Sequence, residues 1–201
     1  MKVLIACEFS GTVRDAFLRR GHEAMSCDLL PTETEGPHYQ GDVRDVLDYP
    51  WDLMIAHPPC TDLAVSGAAW FAKKRMNGSQ QASASFFMKL AKADIPRIAI
   101  ENPVCIMSRL WRKPDQIIQP WMFGHTEQKA TCLWLKGLKP LQQTKNVHQE
   151  MMTLPKNKRE RLHYLPPSED RWKLRSETYQ GIANAMADQW GHPYQGDLLL
   201  P

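Results

Sequence analysis

KVLIACEFSGTVRDAFLRRGHEAMSCD, residues Lys2–Asp28, reads as strand, helix, strand. Lys2 to Cys7 is a short apolar run, as expected of a buried strand, and Ser10-Gly11 supplies a turn. Thr12 to Arg20 carries Val13, Ala16, Phe17 and Arg20 at helical spacing, and Gly21 is placed to end that helix. His22 to Cys27 is a second strand, closing on Asp28. This is a βαβ unit, and it predicts a parallel sheet.

The same grammar runs onward. Trp51 to Ala56 is a third apolar run, ending at His57-Pro58-Pro59-Cys60. Ser79 to Ala93 reads as a helix with Phe86, Phe87, Leu90 and Ala93 on one face. Ile95 to Ile100 is a strand ending at Glu101-Asn102-Pro103, Thr131 to Leu135 a late strand, and Tyr179 to Trp190 a closing helix. The expected fold class is α/β, a mostly parallel sheet with helices on both faces. In such sheets ligands bind outside the carboxyl ends of the strands. Glu8, Ser10, Asp28, Asp42, Cys60 and Glu101 all fall at those ends.

Bulk properties bound the reading. A chain of 201 residues, 43% apolar, suits one compact domain over residues 1–201. A short basic stretch at about 142–177 interrupts it, and Gly191–Pro201 reads as a loose tail. The net charge of +3 permits nucleic acid without demanding it. The five cysteines include no Cys-x-x-Cys pair and are odd in number, so neither a disulfide framework nor a metal site is expected. The N-terminal apolar run is too short for a signal peptide, and none approaches the ~20 residues of a membrane span. A cytoplasmic protein, without membrane or metal, is the expectation.

The chemistry concentrates in a few places. The turn Phe9-Ser10-Gly11 would let a cofactor approach backbone amides, Asp28 would accept from ribose hydroxyls, and Asp42 from an adenine amino group. Pro58 and Pro59 fix φ after a buried strand and hold Cys60 rigidly at the ligand edge. Cys7, Cys27, Cys105 and Cys132 read instead as buried structural thiols. A glutamate at position 101, on a neighbouring strand, would bind N3 and the exocyclic amine of a cytosine and make C6 electrophilic toward Cys60.

In that order these motifs resemble the DNA cytosine-5 methyltransferase family: Phe9-Ser10-Gly11, Asp28, Asp42, Pro58-Pro59-Cys60, Glu101-Asn102-Pro103 and Ile182-Ala183-Asn184-Ala185-Met186. They are similar also to small methyltransferase-like proteins of bacteriophages and prophages. The resemblance spans roughly residues 1–135 and 177–190. It implies a Rossmann-like fold, S-adenosyl-L-methionine as cofactor (held by Phe9, Ser10, Gly11, Asp28, Asp42, Pro58 and Asn184) and DNA as partner. It further implies a flipped base, a Cys60 adduct at C6 with Glu101 on N3, methyl transfer to C5, and release of Cys60. An ordinary thiol has a pKa of about 8.5, so a neighbour must lower it; Lys129 and His57 are the candidates.

The chain departs from the family pattern where His57 replaces a glycine, Thr61-Asp62-Leu63 replaces Gln-x-Phe-Ser, Gln128-Lys129-Ala130-Thr131 matches Gln-x-Arg-x-Arg in part, and Ala183 replaces a glycine. A large target-recognition region is missing. In its place Lys156, Lys158, Arg159 and Arg161, interleaved with Tyr164 and followed by Trp172, suit phosphate contact and base stacking; Lys73, Lys74 and Arg75 are candidates for the same substrate. Four alternatives stand beside this reading. The first is modification of a free pyrimidine nucleotide or RNA. The second is an amino-methyltransferase with a variant Pro-Pro motif, which would need an amide or carboxylate at 57 and an aromatic at 60. The third is a non-catalytic nucleic-acid-binding protein, and the fourth a nicotinamide oxidoreductase, against which the single glycine of the first turn counts.

Overall fold

The computed structural model describes residues 1–192. Most of the expected loose tail, from residue 193 on, lies outside them. Among the described residues seven strands form one sheet: β1 (Lys2–Ala6), β2 (Glu23–Asp28), β3 (His38–Gln40), β4 (Leu53–Ala56), β5 (Arg97–Pro103), β6 (Gln116–Ile118) and β7 (Thr131–Lys136), in the order β3-β2-β1-β4-β5-β7-β6. The first five run parallel; β7 pairs antiparallel with both β5 and β6. The helices are α1 (Thr12–Leu18), α2 (Phe71–Met76), α3 (Ser79–Ala91), α4 (Met107–Leu110), α5 (His148–Thr153), α6 (Lys156–Arg159), α7 (Arg171–Ser176) and α8 (Gln180–Trp190).

Strand alternation divides the core in two. Val3, Ile5, Leu53, Ile55 and Ala99 face one side, where α1 (Val13, Ala16, Phe17) and α8 (Ile182, Ala183, Met186, Trp190) cover them. Leu4, Ala6, Met54, Ala56, Ile98 and Ile100 face the other, under α3 (Phe87, Leu90). Both faces are apolar because both are covered.

Three expectations change. Two three-residue strands, β3 and β6, were not expected; each pairs with a single neighbour, at an edge of the sheet. The stretch 142–177 read as poor in periodicity, yet carries α5, α6 and α7. The helices expected over 12–20 and 79–93 end at Leu18 and Ala91. Among the described residues no helix is long and apolar enough to cross a membrane, and no group of three or more His, Cys, Asp or Glu is placed to hold a metal.

Candidate active site

The β4–β5 ladder builds the centre of the site. Ala56 lies opposite Ile100, and residues in register on parallel strands share a face. One step further, His57 and Glu101 meet on the face covered by α1 and α8. His57 Nδ1 donates to Glu101 Oε2 at 2.9 Å, and Thr178, just before α8, donates its hydroxyl to the same oxygen at 3.5 Å. Both side chains are nearly buried, 13% and 11% exposed, so their charges interact with little screening. Burial alone would neutralise them; the hydrogen bond and mutual attraction win, with the imidazole raised and the carboxyl lowered from their ordinary ranges. The charges of Glu8 and Lys129 also act on His57. His57 Nε2 is buried without a partner.

On the opposite sheet face, buried Asn102 donates its amide to the Pro58 carbonyl at 2.9 Å and so anchors the Pro-Pro turn. The Cys60 carbonyl accepts from Leu63 and Ala64 at 3.0 and 2.8 Å, closing the next turn. Cys60 is half-buried, whereas Cys27, Cys105 and Cys132 are buried. Burial and the Glu101 charge push its thiol up; Lys129 and Arg175 oppose them without prevailing. His57 does not do what was expected of it: it engages Glu101 rather than activating the thiol. Lys129 acts in the expected direction, and its ammonium donates to the Glu177 carbonyl at 3.0 Å. Arg175, on α7, was not singled out for this role, because only the folded insert brings it to Cys60.

The first turn differs from its reading in one respect. Glu8 is buried and accepts from the backbone amides of Val13 and Arg14 at 2.7 and 3.2 Å. The start of α1 is thus occupied by a carboxylate, and a pyrophosphate has no free amides there. That weighs against a nicotinamide dinucleotide. Gly11 takes φ 75°, and a Cβ there would strike the Thr34 hydroxyl and the Arg14 guanidinium. Phe9 and Trp172 approach at 5.7 Å between centroids, so α7 closes over this edge, and Lys173 pairs with Glu33 beside them. Ser10 Oγ approaches Glu8 at 3.4 Å.

Asp28 accepts the Leu30 amide on Oδ1 at 3.0 Å; no described residue donates to its Oδ2. Leu29 beside it is 73% exposed. Asp42 caps a turn and binds Arg44 through both oxygens, which pulls its carboxyl down to about 2. An adenine amine would have to compete with Arg44 for it. Asn184 does not join this group: its Oδ1 accepts from Gln180 at 2.9 Å and Arg19 at 3.4 Å, on the seam between α1 and α8. Gly181, which the motif reading passed over, makes the close approach instead; a Cβ there would strike the Phe123 carbonyl.

The basic residues divide. Lys74 binds the Thr61 carbonyl and lies 3.3 Å from Asp62, so it braces the loop that follows Cys60. Arg161 is paired with Glu127 at 3.1 Å, and Lys156 approaches Glu160 at 4.0 Å. Arg159 is half-buried, and its carbonyl accepts from Gln128, next to Lys129. Lys73, Arg75 and Lys158 are exposed and free of ion pairs among the described residues. A cavity of about 730 Å³ lined by Met25, Tyr49 and Trp51 opens at the amino ends of β1, β2 and β4, at the other edge of the sheet from Cys60.

No protein-family model and no curated protein matches the chain. Solved structures do. The chain is similar to the Entamoeba histolytica methyltransferase EhMeth, with TM-score 0.50 and 14% identity over 73% of this chain and 57% of that one. It is similar also to an E. coli prophage-encoded protein described as a candidate DNA modification methyltransferase, with TM-score 0.46 and 15% identity over 67% of this chain and 46% of that one. The chain thus spans about half the length of the structures it matches. The likeness is one of fold: with the strand order above, the chain has a Rossmann-like α/β sheet, mostly parallel.

Proposed function

We propose that the chain transfers a methyl group to C5 of cytosine in DNA, with Cys60 as nucleophile and Glu101 as the group that holds N3. The observation that carries this reading is the convergence of Cys60 and Glu101 past the carboxyl ends of adjacent strands, close enough for the carboxylate's charge to act, after burial, on the thiol. Glu101 Oε2 is engaged by His57, while no described residue donates to Oε1, leaving that oxygen for a base.

S-adenosyl-L-methionine, when bound, supplies the electrophilic methyl group. The edge fits it in three respects: a free Asp28 oxygen for a ribose, exposed Leu29 and Leu30 for an adenine face, and a first turn already filled by Glu8, which suits a cofactor without phosphate. Phe9, Ser10, Gly11 and Pro58 line the same edge; Asp42 and Asn184 remain weaker candidates. The chain's own residues do the rest. Pro58 and Pro59 hold Cys60 in place, Glu101 orients the ring, and Lys129 and Arg175 favour the thiolate.

The test is covalent trapping. Incubation with the cofactor and 5-fluorocytosine DNA should give an adduct that peptide mass mapping assigns to Cys60, because fluorine at C5 cannot leave as a proton does. Absence of any adduct, with DNA binding intact, would end this reading.

For the DNA, the free cations Lys73, Arg75 and Lys158 are the proposed phosphate contacts, with Lys156, Arg159 and Arg161 in supporting positions. Neutralising those three should reduce the slope of log affinity against log salt by about 2 to 3, at 0.7–0.9 per phosphate. An unchanged slope would put the substrate elsewhere. A single-stranded or RNA substrate is the second reading. Trp70 and Tyr164, 62% and 51% exposed beside these cations, favour it, since unpaired bases stack on such rings.

A further inference from the structure

We propose that His57 is the proton store behind Glu101: it holds the proton that Glu101 delivers to N3 as Cys60 adds to C6. This rests on the cytosine reading above and assigns a role to a residue which that reading leaves idle.

The geometry is specific. His57 and Glu101 are consecutive with the last paired residues of β4 and β5, so the sheet itself sets their contact at 2.9 Å. The remaining ring nitrogen is buried with no partner, so Nδ1 is the atom through which the ring works. Two carboxylates act on the ring, Glu8 after β1 and Glu101 after β5, against one cation, Lys129 ahead of β7. Those are the charged groups that act on it, and they favour a protonated ring. Thr178, ahead of α8, shares the Glu101 oxygen and carries no proton it could release at neutral pH.

The step balances as follows. The Cys60 thiolate forms a bond to C6. The C5–C6 π pair moves to C4–C5, and the C4–N3 π pair becomes a lone pair on N3. Glu101 is ionised at the outset: it takes the one proton from His57 Nδ1 on Oε2, and the carboxyl turns to hand that same proton to the N3 lone pair. The products are an N3–H enamine with a nucleophilic C5, an ionised Glu101 and a neutral His57. When Cys60 leaves, the N3 proton returns by the same route and the store is refilled. His57 touches no substrate atom; it is a positioning and proton-supplying residue that acts through Glu101.

Two measurements test this. In the free protein, ¹⁵N NMR at pH 6.5, where an ordinary imidazole is half protonated, should show His57 predominantly cationic, and largely neutral in Glu101→Gln. A neutral ring in the wild type would overturn the inference whatever the substrate is. In the trapping assay, His57→Gln keeps an N–H donor to Glu101 but holds no transferable proton. Its adduct rate at pH 8 should fall at least thirtyfold, with the descending limb of the pH profile moved to lower pH. A rate within threefold and an unmoved limb would make His57 an orienting group only and overturn the proposal. Failure of the wild type to form any adduct would instead strike the cytosine reading, and this inference with it, even with a cationic ring.

Discussion

Glu101→Gln should slow formation of the Cys60 adduct by about a hundred- to ten-thousandfold, the usual worth of a general acid, while making Cys60 more reactive toward a simple alkylating agent. The opposite signs come from one carboxylate. With a base in place, Glu101 supplies the proton that lets electrons settle on N3; a carboxamide cannot. Without a base, the same negative charge, added to burial, keeps the thiol raised. Removing it lets Lys129 and Arg175 act with less opposition, and iodoacetamide should modify Cys60 about three- to tenfold faster at pH 7.5. Timed alkylation with mass mapping reads the second effect, and the fluorocytosine trap reads the first. If both rates fell together, the carboxylate would be supporting the loop rather than the chemistry.

Arg14→Met should be the most damaging substitution for stability, at about 3–5 kcal/mol, the cost of emptying one half of a buried charged network. Arg14 is fully buried on α1. Its guanidinium donates to Ser26 and Thr32 hydroxyls at 3.2 and 3.1 Å, to the Thr34 and Glu35 carbonyls at 3.1 Å each, and to Asp15 at 2.8 Å. Gly11 and Gly36 leave the room it fills. Methionine matches the stem but strands two carbonyls and the hydroxyls. For a chain of this size the melting temperature should drop by about 6–20 °C. Arg14 makes the largest set of contacts to the loop after Asp28, so cofactor affinity should fall as well. Arg14→Lys keeps the charge but cannot reproduce the fork, and its melting temperature should lie between those of the wild type and Arg14→Met; a wild-type value for Arg14→Met, by calorimetry, would show the network to be dispensable.

What the chain reveals before folding divides along physical lines. The buried strands β1, β4 and β5 announce themselves as apolar runs, and α3 and α8 as stripes, because burial on a regular element leaves a period. The pairs β3 and β6 leave none, being three residues long and held by one neighbour each. Cys60 and Glu101 were legible because a Pro-Pro turn and a strand end mark them. His57 stands beside Cys60 in the sequence but pairs with Glu101 in the fold: its partner follows from which strand lies beside β4, and only the sheet order supplies that. Arg14 in a helix reads as a surface residue, and nothing local hints at the five-residue loop segment that surrounds it. The charge of Arg175 acts on Cys60 only through the fold of the insert.

The β4–β5 ladder also imposes a condition on the chain as it forms. A slip of a single residue between these strands would send His57 and Glu101 to opposite sides of the sheet. The carboxylate would then lose its proton source, and the thiol would stand beside a different set of charges. On the proposed chemistry, a chain misregistered here is expected to be inert, so the sheet's register and the activity would arrive together.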